Sequence, residues 1–265
     1  MKNIYYCFPK GKFKVLTMSY DDGKKEDRRL VSLFNRHNIK GTFHVNAGIL
    51  NDPERIPLNE MKELYEGHEI SGHTFTHPTI ARCPIEQVVK QVLTDREGLE
   101  EVAGYPVRGL SYPNGSYNEE IKKALPHLGV KYARVVGNSD NFQMPDDFYQ
   151  WQSTCHHNHN LQKLGEEFVA LHKKQYLYMM YVWGHSYEFR LQDNWQVIED
   201  FCELVSNKEE IWYATNIQIV DYMEVLDRLQ FSSKGDFVYN PSFEAAWLSV
   251  DEKIIEIPGG KQVYL

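Results

Sequence analysis

The chain has 265 residues and a formal net charge of −8 at pH 7. Hydrophobic residues make up 42%, charged residues 25% and aromatics 13%, which excludes a disordered chain. The acidic balance excludes the basic footprint of a nucleic-acid binder, and no apolar run approaches the roughly 20 residues of a membrane helix.

The length suits one large domain, alone or with a small appendage. The N-terminus reaches Pro9 and Lys10 before any long apolar region develops. No secretory signal is visible there, and a cytoplasmic location is expected. The four cysteines (Cys7, Cys83, Cys155, Cys202) form no Cys-x-x-Cys pair, so free thiols are expected rather than a metal knuckle or redox site.

In chain order, strand-like and helix-like segments alternate. Val15 to Ser19 predicts a strand that runs into Tyr20-Asp21-Asp22-Gly23. Leu30, Val31, Leu33, Phe34 and His37 recur at helical spacing, and residues 41–45 predict a second strand. Pro57 opens a helix that Gly67 ends, and residues 68–71 form a short third strand. Ile85, Val88, Val89, Val92 and Leu93 mark a long amphipathic helix. A fourth strand, 107–112, closes on Pro113-Asn114-Gly115; Asn118 caps the helix before a fifth strand at 130–136. Leu161 to Leu171 predicts a helix, 177–183 a sixth strand, Trp195 to Val205 a helix, 211–215 a seventh strand and Ile217 to Leu229 a last helix. About seven β-α units point to a mainly parallel sheet with helices outside it. Beyond Leu229 the pattern changes to short strands separated by Gly, Asn, Pro and Asp turns. The expected division is a barrel over 1–230 and a small antiparallel β appendage over 231–265.

Three clusters can carry chemistry. Asp21 and Asp22 are adjacent carboxylates at a strand end, a repulsion that a cation would relieve; taken alone they also suit a plain Asp-Gly turn. His73 and His77, four apart before Pro78, can face one ion if the segment makes a helical turn; otherwise they are two polar loop histidines. In a β/α barrel both clusters converge on one mouth, and Asp22, His73 and His77 give two nitrogens and one oxygen, as in a catalytic zinc site. Trp183-Gly184-His185 ends the sixth strand, where His185 can deliver a proton near neutrality or sit satisfied in the barrel wall. Cys155-His156-His157-Asn158-His159 is rich in ligand types but falls in a predicted loop.

These residues resemble the polysaccharide deacetylases, the NodB-type homology domain or carbohydrate esterase family four. Thr17-Met18-Ser19-Tyr20-Asp21-Asp22-Gly23 resembles the family's Thr-Phe-Asp-Asp-Gly, Gly41-Thr42-Phe43 its second strand, and Gly67 to His77 its metal motif. The resemblance runs from about Lys12 to Tyr222 and implies a distorted barrel of seven β/α units. It implies Asp21 as general base and His185 as general acid, with Asp22, His73 and His77 holding one divalent ion, zinc first. Trp183 belongs by the same resemblance to the pocket for the acetyl methyl group.

The family's Arg-x-Pro-Tyr-Gly reads here as Ser111-Tyr112-Pro113-Asn114-Gly115, so its bracing arginine is absent and Arg108 is the near alternative. Asn114 then stands where a backbone N–H holds the oxyanion. Asp140 weakly resembles the fourth motif, and with Tyr112, Asn114 and Trp183 it completes the expected substrate contacts. The expectation is a divergent, metal-dependent hydrolase of carbon–nitrogen bonds other than peptide bonds. It would remove N-acetyl, or O-acetyl, groups from an acetylated carbohydrate, with no nucleic-acid or membrane partner and the oligomeric state open. A barrel that binds carbohydrate without turnover, and an amidohydrolase acting outside sugars, are the alternatives.

Overall fold

Alternation along the strands sets the architecture. In Lys14–Asp21 every residue is buried, but the even positions Leu16, Met18 and Tyr20 belong to an apolar layer while Thr17, Ser19 and Asp21 do not. A parallel strand covered on both faces has no solvent side, so its polar positions must find partners inside. In the computed structural model, which describes residues 2–50 and 52–265, those partners line the interior of a curled parallel sheet.

The strands are β1 (Ile4–Cys7), β2 (Lys14–Asp21), β3 (Gly41–Val45), β4 (Glu69–Gly72), β5 (Gly109–Ser111), β6 (Tyr132–Val135), β7 (Trp151–Gln152), β8 (Cys155–His156), β9 (Tyr178–Gly184) and β10 (Ile211–Tyr213). The helices are α1 (Asp27–Arg36), α2 (Leu58–Leu64), α3 (Ile85–Ala103), α4 (Glu119–Ala124), α5 (Leu161–Val169), α6 (Ser186–Leu191), α7 (Trp195–Val205) and α8 (Asn216–Asp227). The main sheet runs β7-β6-β5-β4-β3-β2-β9-β8, with β10 on β2, and every pairing is parallel. Its two ends belong to one stretch of chain. β7 pairs with β6 and β8 with β9, and only Ser153 and Thr154 separate them. The Thr154 N–H donates to the Tyr181 carbonyl at 2.8 Å, so this stretch closes the distorted barrel.

The seven predicted strands all appear, as β2 to β6, β9 and β10. The loop expected at Cys155-His156 is instead wall strand β8, in register with Val182 and Trp183. Two-residue strands are too short for a period-2 pattern to show, which is why the residues alone suggested a loop.

Inside, the polar rungs form a continuous network. Thr17 Oγ1 donates to Asn216 Oδ1 at 2.7 Å and Thr42 Oγ1 to Glu69 Oε2 at 3.0 Å, while Glu69 Oε1 accepts from Tyr132 Oη at 2.7 Å. Burial raises the Glu69 carboxyl to about 7 despite these donors. The apolar side of the wall packs on the helices: Tyr20, Phe34, Phe43, Met180, Phe189 and Phe201 share one fully buried cluster.

A second layer closes the N-terminal ends of the strands. Beyond α8 come β11 (Gln230–Phe231), β12 (Phe237–Tyr239), β13 (Ala246–Val250), β14 (Lys253–Ile257) and β15 (Gln262–Tyr264). They form two antiparallel sheets, β11-β12-β15 and β1-β13-β14, so the N-terminal strand completes a sheet made otherwise by the C-terminal tail. Phe8, Val15, Met179, Tyr181, Leu248 and Ile257 lie in one buried cluster, which ties this layer to the barrel floor. The four cysteines are unpaired, and among the described residues no helix is long and apolar enough to cross a membrane.

Candidate active site

With the floor sealed, chemistry is left to the C-terminal ends of the strands, as barrel geometry requires. Asp21 is the last residue of β2 and Asp22 follows it with φ +80. His73 follows β4, and one ligand atom each from Asp22, His73 and His77 lies within 4.8 Å of the others. No helical turn brings the histidines together. Thr74 (φ +63) and His77 (φ +58) are left-handed, and the loop folds the two rings to a centroid distance of 4.6 Å. A left-handed Thr is strained, and such strain persists only where neighbours over-determine it. Here Asn46 Nδ2 donates to the carbonyls of His73 (2.5 Å) and Thr74 (2.7 Å). Arg55 joins the two loops, donating to the Asp22 carbonyl and, at 3.3 Å, to Asn46 Oδ1.

The donor set fits a divalent cation. His73 Nδ1–H donates to the Ser111 carbonyl at 2.8 Å, which fixes the tautomer and leaves Nε2 as a ligand. Burial lowers the His73 pKa, against the pull of Asp21, so the imidazole is neutral as a ligand must be. The His73 N–H is held in turn by buried Asp95, whose carboxylate also accepts from Ala47 N–H at 2.7 Å. Asp95→Ala strips the acceptor from both amides, at about 1–3 kcal/mol for each buried group left unpaired. The expected result is a lower urea midpoint together with a lower retained metal content after dialysis.

Asp21 is fully buried, and burial pushes its carboxyl upward. The Arg134 guanidinium, with His73, His44 and His185, overrides this and holds it well below the usual range. Its Oδ2 accepts from Arg134 Nη2 and, at 3.1 Å, from Ser111 Oγ; its Oδ1 is buried with no partner. Arg134 therefore provides the brace that the third motif lacks. It sits on β6 opposite Ser111 on β5, so the guanidinium enters from the neighbouring strand. Arg108 does not take that part: it makes a two-pronged pair with Asp221 at 2.7 Å on the flank. The signal missed in the sequence was a charged residue in the middle of a strand predicted to be buried.

His185 stands between β9 and α6, with its Nδ1 3.3 Å from Glu188 Oε1. Burial lowers its pKa, but Glu188 and the Asp21 and Asp22 charges outweigh this and raise it, which places His185 in the same electrostatic neighbourhood as the aspartates. Trp183 is nearly buried, with its ring 4.4 Å from the Arg134 guanidinium and 5.9 Å from the His185 ring. The side chains of the other expected contacts have partners of their own. The Tyr112 side chain turns outward into an apolar layer, stacks on Tyr117 and donates to the Tyr149 carbonyl. Asn114 is exposed with φ +57, and its side chain donates to Thr79 Oγ1. Asp140 sits half-exposed on the rim, paired with His159 at 2.8 Å.

Fold and site together define a β/α barrel whose mouth carries an acid–histidine–histidine group able to hold a cation, beside a buried aspartate and a carboxylate-held histidine. Residues 9–133 match the family model of the polysaccharide deacetylases. The peptidoglycan-N-acetylglucosamine deacetylase PgdA of Listeria monocytogenes is 26% identical over 121 residues, 44% of this chain and 25% of that protein. A Mycobacterium smegmatis structure assigned to the polysaccharide deacetylases superposes with TM-score 0.63 at 18% identity, over 83% of this chain and 93% of that one. A CE4 family pseudoenzyme from Bacillus anthracis superposes with TM-score 0.51 at 16% identity, over 82% and 68%. Residues 9–133 are thus similar to the polysaccharide deacetylases in sequence, and the fold is similar over most of the chain. The chain spans about a quarter of the length of the Listeria relative it matches.

Proposed function

We propose that this chain is a metal-dependent hydrolase that removes acetyl groups from an acetylated carbohydrate, N-acetyl in the first place. The observation that carries the reading is the unpartnered Oδ1 of buried Asp21 beside the Asp22–His73–His77 group. Asp22, His73 and His77 would hold the ion, and two imidazoles with one carboxylate suit zinc. A cation bound there supplies Lewis-acid polarisation of the acetyl carbonyl and a more acidic water. Asp21, ionised at neutral pH by Arg134, accepts the water proton at Oδ1. Ser111 and Arg134 occupy its other oxygen and so direct the free one towards the mouth. His185, with its Nδ1 held by Glu188, presents Nε2 to protonate the departing amine. Trp183 offers an apolar wall for the acetyl methyl group.

The alternative, a binding barrel without turnover, rests on the absent third-motif arginine; Arg134 bonded to Asp21 favours turnover over it. The direct test is acetate release from N-acetylated and O-acetylated sugars before and after chelation, with zinc added back. Loss on chelation and recovery with zinc are expected; activity that survives both chelation and His73→Ala would overturn the reading.

Glu188 sets the alkaline limb. It raises the His185 pKa, so the protonated acid persists to higher pH and is lost as pH climbs through the folded value. Glu188→Gln is expected to shift that limb of kcat to lower pH and to reduce kcat itself, as measured by acetate release from pH 5 to 10.

A further inference from the structure

A second group of ligand-type side chains lies beside His185, and of its members only Glu188 enters the chemistry above. His156 and His157, at the end of β8, direct their Nε2 atoms to the same Glu188 oxygen, Oε2, at 3.0 Å each. His157 is completely buried and its Nδ1 has no partner, while its Nε2 meets Glu188 Oε2 at ion-pair distance without the geometry of a hydrogen bond. Orphaned polar atoms of this kind are rare in a native interior and point to something missing between them. The backbone makes room for the His157 ring: a Cβ on Gly184 would lie 2.0 Å from its Nδ1, so only glycine fits there. Tyr20 and Phe189 stack on the ring, leaving Nε2 facing Glu188.

We infer that His156 Nε2, His157 Nε2 and Glu188 Oε2 form a second divalent-metal site, separate from the Asp22–His73–His77 group. One ligand atom from each lies within 4.8 Å of the others. Ligands bonded at about 2.0–2.2 Å around a tetrahedral ion stand about 3.3 Å apart, so an outward adjustment of a few tenths of an ångström from 3.0 Å admits one. Imidazole–imidazole–carboxylate chemistry selects a zinc-class ion over magnesium or calcium, which prefer oxygen shells. His156 and Glu188 are partly exposed, which leaves an entry path and a fourth position for water. The ion and His185 would share one carboxylate, Oε2 to the cation and Oε1 to His185 Nδ1. Occupancy would fix Glu188 and, through it, the orientation of His185.

The site does not depend on the deacetylase reading, and its test does not use activity. The full chain, stripped by chelation, is titrated with Co2+ followed by visible absorption, and metal content is counted after dialysis against Zn2+. Wild type is expected to take two equivalents. His156→Ala, at a partly exposed position, and Glu188→Gln, nearly isosteric, are each expected to lose one equivalent or bind it at least tenfold more weakly, with unchanged circular dichroism. His73→Ala combined with His77→Ala is expected to keep the second ion. A single equivalent in wild type overturns the inference. So do two equivalents at full affinity in both His156→Ala and Glu188→Gln, or loss of both ions in the His73/His77 variant.

Discussion

Asp21→Asn is expected to lower kcat for acetate release by about 10²–10⁴-fold, the range a positioned general base contributes. The substitution keeps the volume and keeps an oxygen for Ser111 and Arg134 while removing the unpartnered carboxylate oxygen of Asp21. Metal content should stay at the wild-type value, because Asp22, His73 and His77 are untouched. A general base also leaves a signature in pH. In wild type the Arg134 charge holds the Asp21 carboxyl below its usual range, so the base is ionised throughout the practical assay window and gives no acid limb of its own near neutrality. A limb seen near pH 6 in wild type must come from another group. Asp21→Asn activity within threefold of wild type would remove Asp21 from the chemistry and leave it a structural partner of Arg134.

How much of this was legible beforehand depended on the length scale of the signal. The strand β9 announced itself because the run from Leu177 to Trp183 is apolar and aromatic throughout. The Asp22, His73 and His77 group was legible because both of its loops follow strands, and barrel strands end at one mouth. What the pattern could not show was how those loops turn. The expected helical turn at His73 is instead a loop with left-handed Thr74 and His77, held by Asn46 and Arg55 from elsewhere in the chain. Nor could it show partners across the sheet. Ser111 and Arg134 are 23 residues apart in sequence and meet only through the β5–β6 register. The same holds for β1, whose pairing with β13 joins the two ends of the chain. Register and loop path are tertiary properties, and short strands such as β7 and β8 carry too few residues to signal either.

The Arg134 exchange gives the second large effect, because it tests whether a neighbouring strand has taken over a lost brace. Arg134→Met removes the guanidinium bonded to the buried Asp21 carboxylate. Breaking a buried pair from one side costs about 3–5 kcal/mol, because the remaining charge stays buried and alone. The linkage sign then reverses. In wild type Asp21 has a depressed folded pKa, so its contribution to stability is present above the unfolded value of about 3.9 and is lost as pH falls through the folded value. With Arg134 gone, desolvation is the largest influence left, the folded pKa rises above the unfolded one, and stability instead declines as pH rises through the new value. Urea unfolding at pH 5 and pH 8 should therefore show the variant penalised more at pH 8. Its activity should acquire an acid limb, since the base must now lose a proton before it can take one. Arg134→Lys separates charge from geometry: it keeps the cation but not the fork that reaches both Asp21 and Ser111, and should keep much of the stability while losing more of kcat than of substrate binding. If Arg134→Met folds with wild-type stability and an unaltered pH profile, the guanidinium is not the brace, and the divergence at Ser111 would have to be offset elsewhere or not at all.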